Sequence, residues 1–508
     1  MNWARHIIII VLFSGSISAQ AQQNILSQRF SFQFRQLSAE ALLDTVSGTI
    51  GYSFAYNPEI LSDQTPVTAS FVQAPLHQIL QDVFKNKELQ FKEVCNYITI
   101  TRKVAGEELP DVFTPYTDSS EYYYIKAKVM DANNKKPVPF ANVVITRRNL
   151  GTITNLDGNF SLKIPSGCIN DSLIVSFIGY QTVAKSISAL AANELIFLQP
   201  AAIELNEVIV KHYEPIYLIR QAVAKVNSNY STSPQMQVGF YRETSKQNAD
   251  YIQISEAVLK IFKAAYDRSF QTDQVIVFKS RKSPMVKTMD TVSYKLQGGI
   301  YNSLMIDLAK YPASFMSDDY FNMYDFKFEG LTKYNDGSVY VISFDQKPEV
   351  EYPLYKGKLY IDARSLAIVK SEFGISPHGL NYATNVLVKK SSSKIRAKVL
   401  GAYYLVSYTN VEDRWQLHHV REEIKIRVRK KYSFFNSTFH SVSELVITDA
   451  DSVKTNRFRN ADLVKPNHVF AEITNHYDET FWGKFNFIEP EISLEEAYRK
   501  IKNVLKDN

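Results

Sequence analysis

The clearest chemical pattern in the chain is a histidine and a glutamate at metal-ligand spacing. His419-Val420-Arg421-Glu422 has the H-x-x-E spacing that one class of zinc hydrolases uses. The residues just after it alternate between apolar and charged, which predicts a β-strand. In a strand, positions i and i+3 point to opposite faces, so His419 and Glu422 cannot bind one ion together. The sequence therefore predicts no metal site here.

Other catalytic signals are absent from the sequence. The chain contains no G-x-S-x-G, no P-loop, no G-x-G-x-x-G and no H-E-x-x-H. Cys95 and Cys168 have no adjacent histidine or basic cluster, so we expect small buried residues rather than thiol nucleophiles. The neighbouring acids Glu422-Glu423 and Glu495-Glu496 are expected to face apart or to cap a helix, and they are typical of solvated charge rather than of an acid/base pair. We predict no catalytic residue and no cofactor, and hence a protein that is not an enzyme; a hydrolase stays as the least favoured alternative.

A cationic stripe is the one candidate binding feature. Apolar and cationic residues alternate at Ile424, Lys425, Ile426, Arg427, Val428 and Arg429. As a strand, this segment would have one apolar face and one cationic face. The cationic face fits the solvent side of an antiparallel strand, where charge resists edge pairing. It also fits a contact face for anionic lipid headgroups or for an acidic partner surface, formed by Lys425, Arg427 and Arg429.

The first residues predict export. Arg5 precedes a short apolar run, and Ala19-Gln20-Ala21 fits an A-x-A processing site. We therefore expect a signal peptide over residues 1–21. No other stretch is long and apolar enough for a transmembrane helix. Two cysteines in an exported chain of this length exclude a disulfide framework.

Length and composition predict several globular domains. At roughly 100 to 200 residues per domain, 508 residues predict about three or four domains. The chain is 45% hydrophobic and 22% charged, which excludes a disordered protein. Its net charge of +6 is too dilute for a nucleic-acid binder, and export also argues against a nucleic-acid partner.

Residues 22–103 predict a small α+β domain. Phenylalanines recur at period two from Phe30 to Phe34, and Ser38 is placed to cap a helix. Pro75 stands at the first turn of a second helix, whose apolar stripe is Leu76, Ile79, Leu80 and Val83. The run 97–101 predicts the last strand.

This segment resembles the secretin and TonB short N-terminal (STN) domain. The resemblance rests on Leu37-Ser38-Ala39-Glu40-Ala41-Leu42-Leu43, Gly51-Tyr52-Ser53-Phe54-Ala55-Tyr56, Pro75-Leu76-His77-Gln78-Ile79-Leu80 and Ile98-Thr99-Ile100. It implies a periplasmic module that contacts other proteins. Residues 104–121, rich in Pro, Gly, Asp and Ser, predict a linker.

Residues 122–211 predict a β-sandwich of short strands. Two runs, 152–154 and 160–164, flank Asn155-Leu156-Asp157-Gly158 and predict a hairpin-like pair. In that turn we expect Gly158 at positive φ and Asp157 bonded to the turn backbone. Regular strand spacing over about 90 residues is typical of a sandwich.

The same segment resembles the carboxypeptidase regulatory-like domain. The motifs occur in the family's order: Pro137-Val138-Pro139-Phe140-Ala141-Asn142-Val143, the run 151–160, Ser176-Phe177-Ile178-Gly179-Tyr180 and Glu204-Leu205-Asn206-Glu207-Val208-Ile209-Val210. The resemblance implies a transthyretin-like sandwich without a peptidase site. An STN module and this sandwich commonly introduce TonB-dependent receptors. The chain after the sandwich is too short for a plug and a barrel of about 22 strands, so we do not expect an import channel.

Residues 212–508 predict a β-rich α+β domain. Helices are expected near 215–229, begun by Pro215, and near 493–506, capped by Ser493 with Glu496 three positions on. Strand pairs are expected around the turns 335–338 and 363–365. The region resembles the C-terminal part of uncharacterised envelope proteins in the motifs Phe240-Tyr241-Arg242-Glu243, Gly357-Lys358-Leu359-Tyr360-Ile361-Asp362 and Phe481-Trp482. Its long strands are similar to the curved half-barrel of periplasmic lipoprotein carriers.

These patterns predict a non-enzymatic, exported, multi-domain protein of β-rich α+β class. We expect it in the periplasm, or associated with the outer membrane, binding an envelope protein through its N-terminal modules. The alternative is a carrier that holds a lipid or another apolar ligand in residues 212–508. The sequence predicts neither the identity of the partner nor an oligomeric state.

Overall fold

The computed structural model describes most of the chain beyond its first residues. The described residues are 25–50, 52–56, 67–84, 89–94, 97–102, 122–146, 148–190, 193–201, 214–268, 271–283, 299–335, 337–388, 395–430, 436–451, 457–466, 468–470, 482–483, 485–492, 494 and 496. The predicted signal peptide at 1–21, the predicted linker at 104–121 and Cys95 lie outside them. Of the helix expected over 493–506, only Leu494 and Glu496 are described, and both are helical.

The chain divides into two compact units, residues 1–118 and residues 119–508. The first unit combines two helices with two small sheets. Strands β1 (Arg29–Leu37) and β3 (Val67–Pro75) pair antiparallel, and β5 (Tyr97–Arg102) lies between β2 (Ser53–Tyr56) and β4 (Leu89–Val94). Helices α1 (Ala39–Ile50) and α2 (Leu76–Val83) complete the unit.

The first unit forms the elements that its local signals predict. The Ser38 hydroxyl accepts a bond from the Ala41 amide at 3.2 Å, so it caps α1 as expected. Pro75 precedes α2, and Leu76, Ile79 and Leu80 are fully buried. These side chains pack with Phe34, Leu42, Ile98 and others into a hydrophobic core of the unit's own.

Residues 122–201 of the second unit form a two-sheet sandwich. One sheet has the order β11-β10-β7-β8 and the other β12-β6-β9. The strands are β6 (Tyr122–Asp131), β7 (Asn142–Ile145), β8 (Gly151–Ile153), β9 (Asn159–Pro165), β10 (Ser172–Ser176), β11 (Val183–Ser186) and β12 (Glu194–Leu198). Inward-facing side chains such as Val129, Phe160 and Leu173 fill the space between the sheets, and Cys168 is buried among them as expected.

The hairpin predicted around residues 155–158 is wrong. Strand β8 pairs with β7 and β9 pairs with β6, so the turn carries the chain from one sheet to the other. Gly158 has the expected positive φ, +76°. The side chain that holds the turn is Asn155, whose Oδ1 accepts the amides of Asp157 and Asn159 at 3.0 and 2.9 Å. Asp157 instead accepts the amide of Ile492. The strand alternation alone did not show that the two strands belong to different layers.

The rest of the second unit is built on one sheet of ten antiparallel strands. Its order is β15-β14-β13-β22-β21-β20-β19-β18-β17-β16, and the end strands β15 and β16 do not pair with each other in the part of the chain that the structure describes. The strands are β13 (Gln235–Gln247), β14 (Asp250–Lys263), β15 (Gln274–Lys282), β16 (Tyr324–Tyr334), β17 (Gly337–Gln346), β18 (Tyr355–Asp362), β19 (Ile368–Ile375), β20 (Ile395–Val411), β21 (Arg414–Lys430) and β22 (Asn436–Asp451). The predicted strand pairs at 335–338 and 363–365 are β16–β17 and β18–β19.

One face of this sheet, here called the helix face, is covered by helices. The helices are α3 (Pro215–Ala224), α4 (Val226–Asn229), α5 (Gly299–Met305) and α6 (Leu380–Leu387). Ile219 of α3 and Leu304 of α5 join the core that contains Val420 of the sheet. Ala383 of α6 packs with Ile426 further along the same face. None of the described helices is long and apolar enough to cross a membrane.

The opposite face, here called the sandwich face, meets the β-sandwich and residues 482–492. The Phe140 and His419 rings lie 5.5 Å apart, and the Asn142 amide donates to the Tyr334 hydroxyl at 2.6 Å. Arg242 donates to the Ile488 carbonyl at 2.8 Å. The sandwich is therefore packed within the second unit rather than held as a separate body. The overall β-rich, multi-domain α+β class is confirmed.

Candidate functional site

The cationic stripe lies on the sandwich face near one end of β21. Lys425, Arg427 and Arg429 are exposed, while Ile426 and Val428 between them are buried. The buried pair packs under α6 on the other side of the sheet. The alternation read from the sequence is therefore present in the strand, and the three cations share one outward face.

The neighbouring strand adds two cations that the sequence reasoning missed. Arg396 lies directly opposite Arg429, and Lys398 lies directly opposite Arg427. Both are exposed. Directly opposed residues of an antiparallel pair project from the same face. The alternation of Ile395, Ala397 and Val399 with these two cations is visible in the sequence. The pairing of β20 with β21, which brings the cations beside the stripe, is not. We call Arg396, Lys398, Lys425, Arg427 and Arg429 the cationic patch.

A small charged cleft lies further along the same face. It has a volume of about 110 Å³ and is bordered on the sandwich side by Leu156. Its charged and titratable lining residues are Arg242, Lys246, Arg421, His440, Glu444 and Glu491. The sequence reasoning singled out none of these as a group, because they come from β13, β21, β22 and a segment far along the chain.

The arginines of the cleft are held by buried ion pairs. Arg242 Nε lies 2.7 Å from Glu256 Oε1, and Arg281 binds the other oxygen of the same carboxylate. Arg421 binds Glu444 at 3.2 Å and Glu423 at 2.9 Å. Burial would raise the pKa of Glu444, but Arg421 and the hydrogen bond from His419 outweigh it and lower that pKa to about 2. These groups are fixed in their charged forms, which suits binding rather than proton transfer.

Glu491 differs from the other cleft carboxylates. Burial raises its pKa, although Arg242 acts in the opposite direction. Glu491 lies on the segment that crosses the sandwich face, next to Ile492. The Ile492 amide donates a hydrogen bond to the Asp157 carboxylate of the sandwich.

The two residues of the H-x-x-E spacing lie on opposite faces of β21. His419 Nε2 lies 3.1 Å from Glu444 Oε1 on the sandwich face. Glu422 accepts a bond from Ser303 of α5 on the helix face at 2.7 Å. Burial lowers the pKa of His419, and that of His418 to about 4. Within the described residues, no group of three or more His, Cys, Asp or Glu side chains could hold a metal ion.

Glu422 and Glu423 were expected to be solvated charges, and this is wrong for Glu422. Its side chain is buried under α5, and burial raises its pKa to about 7. Glu423 lies on the other face, where hydrogen bonding to His440 and the charge of Arg421 lower its pKa to about 2. Strand alternation separates the two carboxylates as expected, but the sequence did not reveal that a helix covers the face that carries Glu422.

A second buried carboxyl group lies near Glu422. Glu243 of β13 and Glu422 of β21 both face Ser443 of β22, which lies between them in register. The Tyr241 hydroxyl lies 3.2 Å from Glu243 Oε2. Burial, with a smaller effect of Glu422, raises the pKa of Glu243 to about 7. Both carboxyl groups therefore hold a proton more readily than an exposed carboxyl does, in a part of the core that α5 covers.

Strand β3 of the first unit has a polar outer face that also carries the exposed apolar side chain of Val72. Strand β3 alternates half-buried Ala69 and Phe71 with exposed Thr68 and Ser70. Val72, beside an irregularity in the β1–β3 pairing, is 80% exposed. Among the described strands, β1 and β3 pair only with each other, so each has an open edge.

Comparisons with known proteins identify one part of the chain. An 89-residue stretch, 18% of the chain, is 39% identical to the TonB-dependent receptor SusC of Bacteroides thetaiotaomicron, and it spans 8% of that receptor's length. A DUF1329 family protein from Desulfovibrio piger is 10% identical with a TM-score of 0.18, over 46% of this chain and 93% of that one.

A structure of lipovitellin is 8% identical with a TM-score of 0.21, over 50% of this chain and 28% of that one. At these TM-scores neither structural likeness carries an argument. No comparison bears on the STN resemblance of residues 22–103, which stays a prediction. Residues 125–210 match the family model of the CarboxypepD_reg-like domain, so this part of the chain belongs to that family and the resemblance predicted for it is confirmed.

Proposed function

We propose that the protein is a non-enzymatic component of the Gram-negative envelope that binds a partner protein through its first unit. In this proposal, residues 119–508 form the body to which the binding unit is attached. The CarboxypepD_reg-like domain and the partial likeness to an outer-membrane receptor support an envelope location. The location in the periplasm, or at the outer membrane facing it, rests on the predicted signal peptide.

The observation that carries the proposal is the independent core of the first unit. Leu42, Leu80 and Ile98 are fully buried within that unit alone. A small unit with its own core can keep its shape while it binds another protein. Its exposed Val72 and the open edges of β1 and β3 offer backbone and apolar contacts of the kind used in strand addition.

The sandwich supports the proposal in a different way. Its contacts with the ten-stranded sheet, through Phe140, Asn142 and the segment 486–490, occupy surface that a free adaptor domain would keep available. The first unit is therefore the better candidate for recruiting a partner than the sandwich, which we expected to contribute as a second module.

The charged groups described above support binding rather than catalysis. Glu256, which holds the cleft residue Arg242, is bound by two arginines, and the cleft carboxylate Glu444 is bound by Arg421 and His419. A general acid or base needs a pKa near the working pH together with access to substrate. The groups with such a pKa, Glu243 and Glu422, are buried under α5.

The alternative of an apolar-ligand carrier has no comparable support. The cleft described above is small and lined by charged residues. The helix face, where a carrier would hold its ligand, is filled by aromatic side chains such as Phe315, Phe344 and Phe373.

Site-specific crosslinking tests the proposal. A photo-crosslinking amino acid replaces Val72 in the full chain, and the cells that produce the protein are irradiated. We expect one discrete crosslinked product of higher mass. The matched control places the same amino acid at Tyr352, which is 55% exposed in the second unit. The proposal fails if position 72 gives no product, or if both positions give the same one.

A further inference from the structure

We propose that the cationic patch binds the phosphate headgroups of an anionic lipid surface. The inference concerns the second unit and goes beyond partner binding by the first. It begins with the register of β20 and β21, which places Arg396 opposite Arg429 and Lys398 opposite Arg427. Like charges directly opposite each other in a sheet are destabilising. A sheet that is selected only for stability would alternate their signs.

The described positions in register with these charges are not acidic. On the β22 side, Lys425, Arg427 and Arg429 lie opposite His440, Thr438 and Asn436. On the β20 side, Lys425 lies opposite Gly401. The described pairing of β19 with β20 extends only from Tyr403 to Ser407, so it adds no strand beside Arg396 and Lys398. The patch is therefore a two-strand array of one sign at the border of the sheet.

The orientation of the array is fixed by the packing beneath it. Val399, Ile426 and Val428 alternate with the cations and are buried on the helix face, in a cluster with Ala383 of α6. This anchoring keeps all five cationic side chains on the sandwich face. Because the two strands are paired, the charges form a surface rather than a flexible tail.

The composition of the patch favours a membrane over an acidic protein. The centres of protein interfaces are depleted in charged residues and enriched in aromatic anchors. The patch has the reverse composition, and the exposed aromatic residue beside it, Tyr403, lies opposite Glu423 at its inner border. A plane of lipid phosphates can be bound by an array of positive charges alone. We therefore infer a lipid headgroup surface, with phosphate as the group recognised.

Vesicle cosedimentation of the full chain tests the inference. One set of vesicles is pure phosphatidylcholine, and in the other about one third of the lipid is phosphatidylglycerol. The test variant carries Lys398→Gln, Lys425→Gln and Arg427→Gln. The control carries Lys136→Gln, Lys225→Gln and Arg364→Gln, which removes the same charge from exposed positions elsewhere in the second unit. Circular dichroism establishes that both variants are folded.

We expect the wild type to bind the anionic vesicles alone, and less strongly as salt is added. At roughly fivefold per cation, the patch variant should lose about a hundredfold in partition coefficient, and the control about threefold or less. Equal losses in the two variants would overturn the proposal, as would an unbound wild type. Binding of the wild type to polyglutamate but not to anionic vesicles would assign the patch to an acidic protein instead. None of these outcomes depends on the first unit, so they leave the partner proposal untouched.

Discussion

Replacing Glu422 by Gln should stabilise the second unit at alkaline pH and have little effect in acid. Ser303 has one hydroxyl proton, yet its oxygen lies 3.0 Å from the Gly299 carbonyl and 2.7 Å from Glu422 Oε1. If Glu422 is ionised, the Ser303 hydroxyl faces two acceptors, the Gly299 carbonyl and the Glu422 carboxylate, and its single proton can form only one of the two hydrogen bonds. If Glu422 is protonated, it donates to Ser303 while Ser303 donates to Gly299. The amide of Gln can donate in the same way.

The magnitude follows from the raised pKa of Glu422. In the native state it is about 7, against an ordinary value of 4.5. Stability from the protonated carboxyl is fully present below the unfolded value and is lost as the pH rises through the native value. At 1.36 kcal/mol per pKa unit, the loss is about 3 kcal/mol. Since Gln does not titrate, the stability gained by Glu422→Gln should grow by about 2 to 3 kcal/mol between about pH 5 and about pH 8.

Tryptophan fluorescence during urea unfolding measures this difference in the free energy of unfolding, and it reports on the second unit. Trp415 and Trp482 are the tryptophans after the predicted signal peptide, and both belong to the second unit. Glu423→Gln is the matched control, because the pKa of Glu423 is lowered to about 2. The ionised Glu423 carboxylate stabilises the native state fully above pH 4.5, and this stabilisation is lost only as the pH falls toward 2. Glu423→Gln should therefore lower the free energy of unfolding by the same amount at every pH from about 5 to about 8. Parallel pH profiles for Glu422→Gln and the wild type would refute the reasoning.

Three further substitutions test the packing. Asn142→Ala removes the donor to the buried Tyr334 hydroxyl at 2.6 Å and should lower the unfolding free energy of the second unit by about 1 to 3 kcal/mol; no change in the urea midpoint would contradict the contact. Leu80→Ala empties a fully buried site of the first unit and should cost about 2 to 5 kcal/mol. Hydrogen exchange should rise within residues 25–102 and stay unchanged in the large sheet. Gly158→Ala places a Cβ 2.5 Å from the Val129 carbonyl at φ +76° and should cost roughly 1 to 3 kcal/mol in thermal unfolding. Gly167→Ala, which meets nothing within 4 Å, is its control, and equal losses would contradict the strain.

Local signals predicted the elements whose causes are local. The Ser38 cap, the stripe of α2 and the turn after Asp362 depend on residues a few positions apart. The alternation of Ile426 and Val428 with cations likewise needs no distant partner to be interpreted. For these elements the sequence contains the physical reason, and the structure has them where they were expected.

Long-range pairing could not be predicted in the same way. One pair of the large sheet joins β13 to β22, which lie about two hundred residues apart in the chain. That pairing brings Arg242 beside Glu444 and sets Glu243 near Glu422. Without knowledge of that pairing, nothing in the sequence indicated the charged cleft or the two buried carboxyl groups, and Glu422 was predicted to be solvated. The assignment of β8 and β9 to different sheets was missed for the same reason.

Isolation of the protein from cells treated with a chemical crosslinker that reacts at any exposed lysine tests the central claim most directly. The full chain is compared with a variant that lacks residues 22–103 and keeps its predicted signal peptide, and with the Lys398, Lys425 and Arg427 triple variant. We predict that one envelope protein is isolated with the full chain and with the triple variant, and is lost on deletion. Recovery of the same protein with the deletion variant would contradict binding through the first unit.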